Sequence, residues 1–280
     1  MVEIGKTNTL RVVKEVDFGL YLDGGEEQGE ILLPTRYIPE GAEVDHFIDV
    51  FIYLDSEDRI IATTEVPYAE VGDFAYLKVA AVNQIGAFLD WGLMKDLLVP
   101  FSEQRVEMVE GLSYFVHVYL DTETQRIVAS TKTYHFLDNE PANFEEGQEV
   151  DLIIGEKSEL GVKVVINNTH SGLLYHNEIF QPIQAGQKIK GYIKQLRDDE
   201  KIDVSLQPTG YEHIVGVAGD ILRKLQAAGG FLEADDKSSP EAIKFMFGIS
   251  KKVFKKAIGA LYKDQLIRFD KGGIRLVRKD

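Results

Sequence analysis

Apolar residues along most of this chain come in short runs rich in β-branched and aromatic side chains, and Gly, Asp and Asn punctuate them. Typical runs are EILLP at 30–34, DLLVP at 96–100 and GLLYH at 172–176. Longer ones open on a glycine: GAEVDHFIDVFIYLD from Gly41, GLSYFVHVYLD from Gly111 and GQKIKGYIKQL from Gly186. Turn signals stand between runs, among them DGG at 23–25, NNTHSG at 167–172 and DDE at 198–200. Such runs bounded by such residues predict strands.

The runs repeat. GKTNTLRVV from Gly5, GDFAYLKVA from Gly72 and GQEVDLIIG from Gly147 open three similar segments at offsets of 67 and 75. A second glycine, at 19, 86 and 161, keeps those offsets. So does a hydroxyl near the close of each segment, Thr63, Ser130 and Ser205. Three anchors at shared offsets predict one supersecondary unit used three times. Five strands in each unit match a small closed Greek-key barrel of the OB type. The barrels are placed at 1–66, 67–146 and 147–208.

From about residue 209 the period changes. HIVGVAGDILRKLQAAGG has apolar residues at helical spacing and then a glycine stop. Ser239-Pro240 opens a second helix, EAIKFMFG, and Ser250 caps a third, KKVFKKAIGALYKDQ. LIRFDKGGIRLV reads as a hairpin turning at Lys271-Gly272-Gly273. Three helices and a hairpin over 209–280 predict an α/β winged helix-turn-helix. The expected fold class is therefore multidomain: three all-β five-stranded barrels and a C-terminal winged helix.

Charge alters this picture more than composition does. The chain carries −15, with no cysteine. Residues 1–66 sum to −10, 67–146 to −8 and 147–207 to only −2, whereas 240–280 sum to +7. An acidic surface repels phosphate, so the third barrel and the basic C-terminal part are the segments suited to a polyanion. The first residues, MVEIGKTNTLRVVKEV, hold no apolar targeting segment, and no window is long and apolar enough to span a bilayer. A cytoplasmic protein away from the membrane is expected.

Phe18-Gly19-Leu20-Tyr21, Gly86-Ala87-Phe88, Gly172-Leu173-Leu174-Tyr175 and Lys201-Ile202-Asp203-Val204-Ser205-Leu206 resemble the motifs of the RNA-binding OB barrel named for ribosomal protein S1. Three such barrels followed by a winged helix resemble the bacterial conserved virulence factor B family over nearly the whole chain. The resemblance implies an RNA-binding regulator linked to virulence, without catalytic residues. It also implies an RNA face made of two aromatics three residues apart, a histidine in the third strand and a basic residue opening the last strand. The first repeat then offers Phe18, Tyr21 and Arg59, with Leu33 at the histidine position. The second offers Phe88 and Arg126, with Ile85 and Val99 at the other two. The third has Leu160 and Lys163 at the aromatic positions, Tyr175 at the histidine position, and Lys201.

Strand alternation adds to this set. In GQKIKGYIKQLR, Ile189 and Ile193 are expected to face the core while Lys188, Lys190, Tyr192 and Lys194 share the outer face, with Arg197 at the strand's end. Cations along a strand with an aromatic among them can track phosphates and stack a base. A solvated edge that blocks strand pairing is the plainer reading of the same pattern. In the third helix of the winged domain, Lys251, Lys252, Lys255 and Lys256 crowd the first turns at i, i+4 spacing, and Lys271 and Arg275 stand on the hairpin. These can meet phosphate, or the acidic barrels of the same chain. Phe18, Tyr21, Arg59, Phe88 and Arg126 are weaker candidates because their surroundings are acidic. Trp91 reads more readily as barrel core or a barrel–barrel contact.

Catalysis finds no support. There is no phosphate-binding Gly-Lys-Ser/Thr loop, no HExxH and no GxSxG. His46, His117, His135, His170, His176 and His213 are scattered without ligand spacing. No cofactor and no metal are expected. The favoured expectation is a non-catalytic protein that binds single-stranded RNA through the third barrel and winged helix, a post-transcriptional regulator. Two alternatives stay open: a transcriptional regulator that reads duplex DNA with the winged helix, and a scaffold whose acidic barrels hold a basic protein.

Overall fold

The computed structural model describes residues 1–179, 181–208 and 211–277, and the side chains of all of these except 211–215. His213 therefore lies outside the described side chains. The chain divides into two compact units, Met1–Glu140 with Asn168–His170, and Pro141–Asn167 with Ser171–Asp280.

Three closed five-stranded barrels account for the repeats. The first comprises β1 (Thr7–Val16), β2 (Gly19–Asp23), β3 (Glu30–Pro34), β4 (Phe47–Leu54) and β5 (Ile60–Thr63), with a single-turn helix α1 (Gly25–Gln28) between β2 and β3. The second comprises β6 (Phe74–Val82), β7 (Gly86–Asp90), β8 (Leu97–Pro100), β9 (Ser113–Leu120) and β10 (Ile127–Ser130). The third comprises β11 (Glu149–Lys157), β12 (Gly161–Ile166), β13 (His170–Tyr175), β14 (Lys188–Leu196) and β15 (Ile202–Ser205). Each closes in the same way. In the first barrel β1 pairs with β2 and β4, β2 with β3, β4 with β5, and β3 runs parallel to β5. The long first strand bends at a bulge after Val12, Val79 and Ile154. These positions again stand 67 and 75 apart.

The sequence anchors have physical causes. A Cβ on Gly19, Gly86 or Gly161 would lie 2.3, 2.2 or 2.1 Å from the carbonyl oxygen of Leu33, Val99 or Leu174. The second strand therefore passes too close to the third for any side chain. Thr63, Ser130 and Ser205 are buried, and their hydroxyl oxygens accept from the N–H two residues on, in Glu65, Lys132 and Gln207. Each satisfies a backbone donor where the last strand ends.

The first barrel closes on its own core, with Leu10, Val12, Leu20, Leu22, Leu33 and Ile52 in it, and two further residues of β4 join it to the second barrel. Phe51 and Tyr53 of β4 pack with Leu89, Trp91, Leu97 and other residues of the second barrel in a single apolar cluster. Trp91 is 3% exposed, meets Phe51 edge-on at 5.6 Å, and donates its indole N–H to the Lys95 carbonyl at 2.6 Å. It is a core residue at a barrel–barrel contact.

The winged helix follows the third barrel: α2 (Tyr211–Ala227), β16 (Phe231–Leu232), α3 (Pro240–Phe247), α4 (Lys251–Lys263), β17 (Ile267–Asp270) and β18 (Gly273–Leu276). The strands form a sheet in the order β16-β18-β17. Ser239 and Ser250 cap α3 and α4, accepting from the N–H groups of Ala242 and Val253. Gly248 ends α3 in a left-handed conformation, φ 67°. Ile221, Leu225, Ile243, Phe254, Ile258 and Ile274 are among the residues that close its core. Gln207 donates to the Gly248 carbonyl at 3.0 Å and Lys244 to the Ile179 carbonyl at 2.8 Å, so α3 lies against the third barrel.

Candidate nucleic-acid interface

The three barrels present the same outer surface with different contents. On the first, Phe18 is 58% exposed and meets Tyr21 edge-on at 6.3 Å. Lys14 stands 4.5 Å above the Tyr21 ring and is bonded to Glu30. Arg59 is held by Asp55 at 2.8 Å and Glu57 at 3.1 Å. Its guanidinium is thereby held above its ordinary pKa, the Asp55 hydrogen bond being the main cause. The aromatics are open, but the cation beside them is spent on acids of its own barrel.

On the second barrel the corresponding surface is walled in. Phe88, Ile85, Leu98 and Arg126 line a cleft of about 280 Å³ together with Tyr53, Asp58 and Lys95. Arg126 is bonded to Asp58 of the first barrel. Lys95 donates to the carbonyls of Leu54 and Asp55 at 3.0 and 2.7 Å, and burial pushes its pKa down. Phe88 and Arg126 thus take part in the junction of the two barrels.

The histidine position needs a correction. Leu33 and Val99 are both 0% exposed and face the core. Pro34, Pro100 and Tyr175 each end the third strand with the same extended backbone, just before a single turn of 3-10 helix. Tyr175 is therefore the counterpart of the two prolines, one residue beyond Leu33 and Val99. The two sets of positions differ by one residue, and one residue of offset turns a strand side chain to the other face.

Tyr175 is half-buried, with the Lys194 ammonium 6.0 Å and the Arg197 guanidinium 5.7 Å from its ring centre. Both cations have acids: Lys194 bonds Glu178 at 2.6 Å, and Arg197 bonds the buried Asp203 at 3.0 Å. Along β14, Lys188, Lys190 and Tyr192 do share the outer face, beside β11. Lys190 faces Asp151 in the register and bonds it at 2.8 Å, with Glu149 at 3.9 Å. The Tyr192 hydroxyl donates to Glu149 at 3.2 Å, and burial raises its pKa together with that carboxylate. A bulge between Ile193 and Gln195 breaks the alternation at Lys194 and turns it toward Tyr175 and Glu178. Lys201 bonds Asp199 at 2.6 Å and holds that carboxyl below the usual range. Lys163 and Lys188 are exposed and have no acidic partner among the described residues.

In the winged helix, Lys252, Lys255 and Lys256 are exposed on α4 and Lys271 on the turn before β18, again without an acidic partner among the described residues. Lys251 is half-buried and reaches the Lys237 carbonyl at 3.5 Å. Arg275 is tied to Asp270 at 2.6 Å and lies 4.8 Å from the centre of the Phe231 ring. Two features escaped the strand and helix patterns. Lys263 continues the lysine row of α4, and Tyr262 meets Phe269 of β17 with ring centres 5.2 Å apart. An exposed aromatic beside the last lysine was the available signal. No group of three or more His, Cys, Asp or Glu side chains among the described residues could hold a metal ion. No helix among them is long and apolar enough to cross a membrane.

Residues 4–65 match the S1 domain family, and residues 219–276 match the CvfB-like winged helix domain. The chain is 28% identical to a conserved virulence factor B of Staphylococcus saprophyticus over 82% of this chain and 79% of that one. It is 26% identical to the protein YitL of Bacillus subtilis over 96% and 92%. A Streptococcus pneumoniae crystal structure, described as a multidomain protein with nucleic acid binding domains, is 24% identical over 98% of each chain, with a TM-score of 0.41.

Three OB barrels and a winged helix, with S1 and winged-helix family matches, define a multidomain protein of the nucleic-acid-binding class. Its domains are of binding rather than catalytic types. The chain is similar to the conserved virulence factor B proteins over most of its length.

Proposed function

We propose that this chain is a non-catalytic regulator that binds single-stranded RNA through its third barrel and winged helix. One observation carries the reading. Of the candidate cations, those without an acidic partner among the described residues, Lys163, Lys188, Lys252, Lys255, Lys256 and Lys271, all belong to these two domains. Arg59 and Arg126 of the other barrels are neutralised. Phosphate contact supplies most non-specific affinity, and it needs cations that are not already paired.

The choice of unpaired RNA rests on chemistry. OB surfaces with stacking rings suit splayed bases. Helix α4, KKVFKKAIGALYK, holds no Arg, Asn or Gln, so its only major-groove readers would be lysines, which can contact guanine but not the other bases' edges in the same way. The name of the relatives, conserved virulence factor B, supports a link to virulence.

The test is to titrate the full chain with mixed-sequence single-stranded RNA, duplex RNA and duplex DNA across a range of salt. Single-stranded RNA is expected to bind tightest. Changing Lys252, Lys255 and Lys256 together to Ala should reduce the magnitude of the slope of log K against log salt by about 2. Preference for one particular DNA duplex would instead establish a groove-reading regulator.

A further inference from the structure

The buried residues of α4, Phe254, Ala257, Ile258 and Leu261, lie on one side of the helix. Its exposed residues are Lys252, Lys255, Lys256, Gly259, Tyr262 and Lys263. At about 100° per residue, these six positions fall within an arc of about 120°, with Gly259 near its middle. The helix contains no acidic residue.

At the far end of this strip, Tyr262 and Phe269 meet at 5.2 Å with their planes 45° apart. They keep 55% and 44% of their surface open. The core of the domain is closed by other residues, Phe254 among them at 0% exposure. Gly259 is unexplained by the fold. A Cβ there would meet nothing within 4 Å, and its φ is not left-handed. Glycine is a poor residue in a helix interior, so an otherwise unneeded one at the centre of the exposed face leaves a bare stretch of backbone. Lysines flank it and an aromatic pair ends it.

We infer that this face of α4 is a docking strip for an unpaired segment of nucleic acid, whose sugar-phosphate backbone crosses Gly259 between the lysines and whose base stacks on the Tyr262–Phe269 pair. The inference rests on the nucleic-acid reading above and adds that the winged helix holds a single strand rather than entering a duplex groove. Base–aromatic stacking tolerates any base, which fits a surface without Arg, Asn or Gln.

The test uses the full chain and a fluorescein-labelled single-stranded RNA of mixed sequence. Tyr262→Leu and Phe269→Leu keep an apolar contact between α4 and β17 but remove a stacking ring. Each should weaken binding about tenfold, with the salt slope unchanged. Gly259→Ala should weaken binding severalfold while the melting temperature holds or rises, because the added methyl occupies the crossing point. Wild-type binding by all three variants, with the triple Lys252/Lys255/Lys256→Ala variant weakened, overturns the strip and leaves the proposed function standing. Wild-type binding by the triple lysine variant overturns both. Where the Leu variants lower the melting temperature, Tyr262→Trp decides. Its indole emission should be quenched by RNA and not by an abasic strand of the same length, the chain's own Trp91 being buried. Equal response to both strands overturns stacking.

Discussion

Lys188 and Lys190 sit two residues apart on one face of β14, yet only Lys190 is compensated. Asp151, directly across the strand pair, takes up its charge and holds the ammonium above its ordinary pKa, the hydrogen bond being the larger cause. Asp151→Asn should free that charge. RNA affinity is then expected to rise, with the salt slope steepening by up to about 0.7. An unchanged slope would place Lys190 away from the nucleic acid. Lys188→Ala should act in the opposite direction, weakening binding with little effect on stability, as exposed substitutions generally do.

His117 makes a different argument at the same scale. It is buried between Phe74 and Phe136, with ring centres at 4.4 and 4.1 Å, and its Nδ1 has no partner. Burial pushes its pKa down to about 4. The folded state therefore stays neutral while the unfolded chain takes up a proton below about 6.5. The stability contributed by the neutral ring is complete above that pH and declines as pH falls toward 4. A shift of this size corresponds to roughly 3 kcal/mol across the window. His117→Phe should flatten the decline in melting temperature between pH 7 and pH 4. An identical pH profile in both proteins would mean that the ring protonates inside the folded state.

Among elements, the second strand of each barrel is unforgiving of a side chain at its first glycine. In Gly161→Ala, the new methyl would stand 2.1 Å from the Leu174 oxygen, and backbone cannot yield as a side-chain end can. A loss of about 1–3 kcal/mol is expected, read by denaturant unfolding. Gly216→Ala in α2, where a Cβ meets nothing within 4 Å, should be neutral or stabilising. Gly161 was legible in the sequence as a spacing anchor because close approach leaves a glycine with no substitute. The helices and hairpin of the winged domain were legible for similar reasons: Ser239-Pro240, Ser250 and Gly272-Gly273 each do one conformational job. The site was legible only in part. Alternation placed Lys188, Lys190 and Tyr192 on one face, but it carries no information about residues across the sheet. Glu149 and Asp151 lie far away in sequence, and only the β11–β14 register brings them to Tyr192 and Lys190. The bulge at Lys194 and the face of Leu33 were hidden for the same reason: a shift of one residue leaves composition unchanged.

At the scale of the whole molecule, charge and contact divide the chain differently. Charge sets barrels one and two, at −10 and −8, against the remainder. That division could be read from the sequence, and it agrees with where the uncompensated candidate lysines lie. The apolar junction of the first two barrels could not be read so, since Phe51 and Trp91 belong to different repeats and look like interior residues of each. Its consequence concerns cooperativity. Two repeats that keep separate interiors but bury Phe51 and Tyr53 between them are coupled in opening, because loosening either exposes apolar surface of the other. Phe51→Ala, a change in the first barrel, should cost about 3–5 kcal/mol. It should also speed amide hydrogen exchange along β9 of the second barrel as much as along β4 of its own. Slowly exchanging β9 amides beside a fast β4 would show two independent folding units. If the pair responds together, the boundary between the first two repeats is one of ancestry in the sequence, and the unit that folds is the pair.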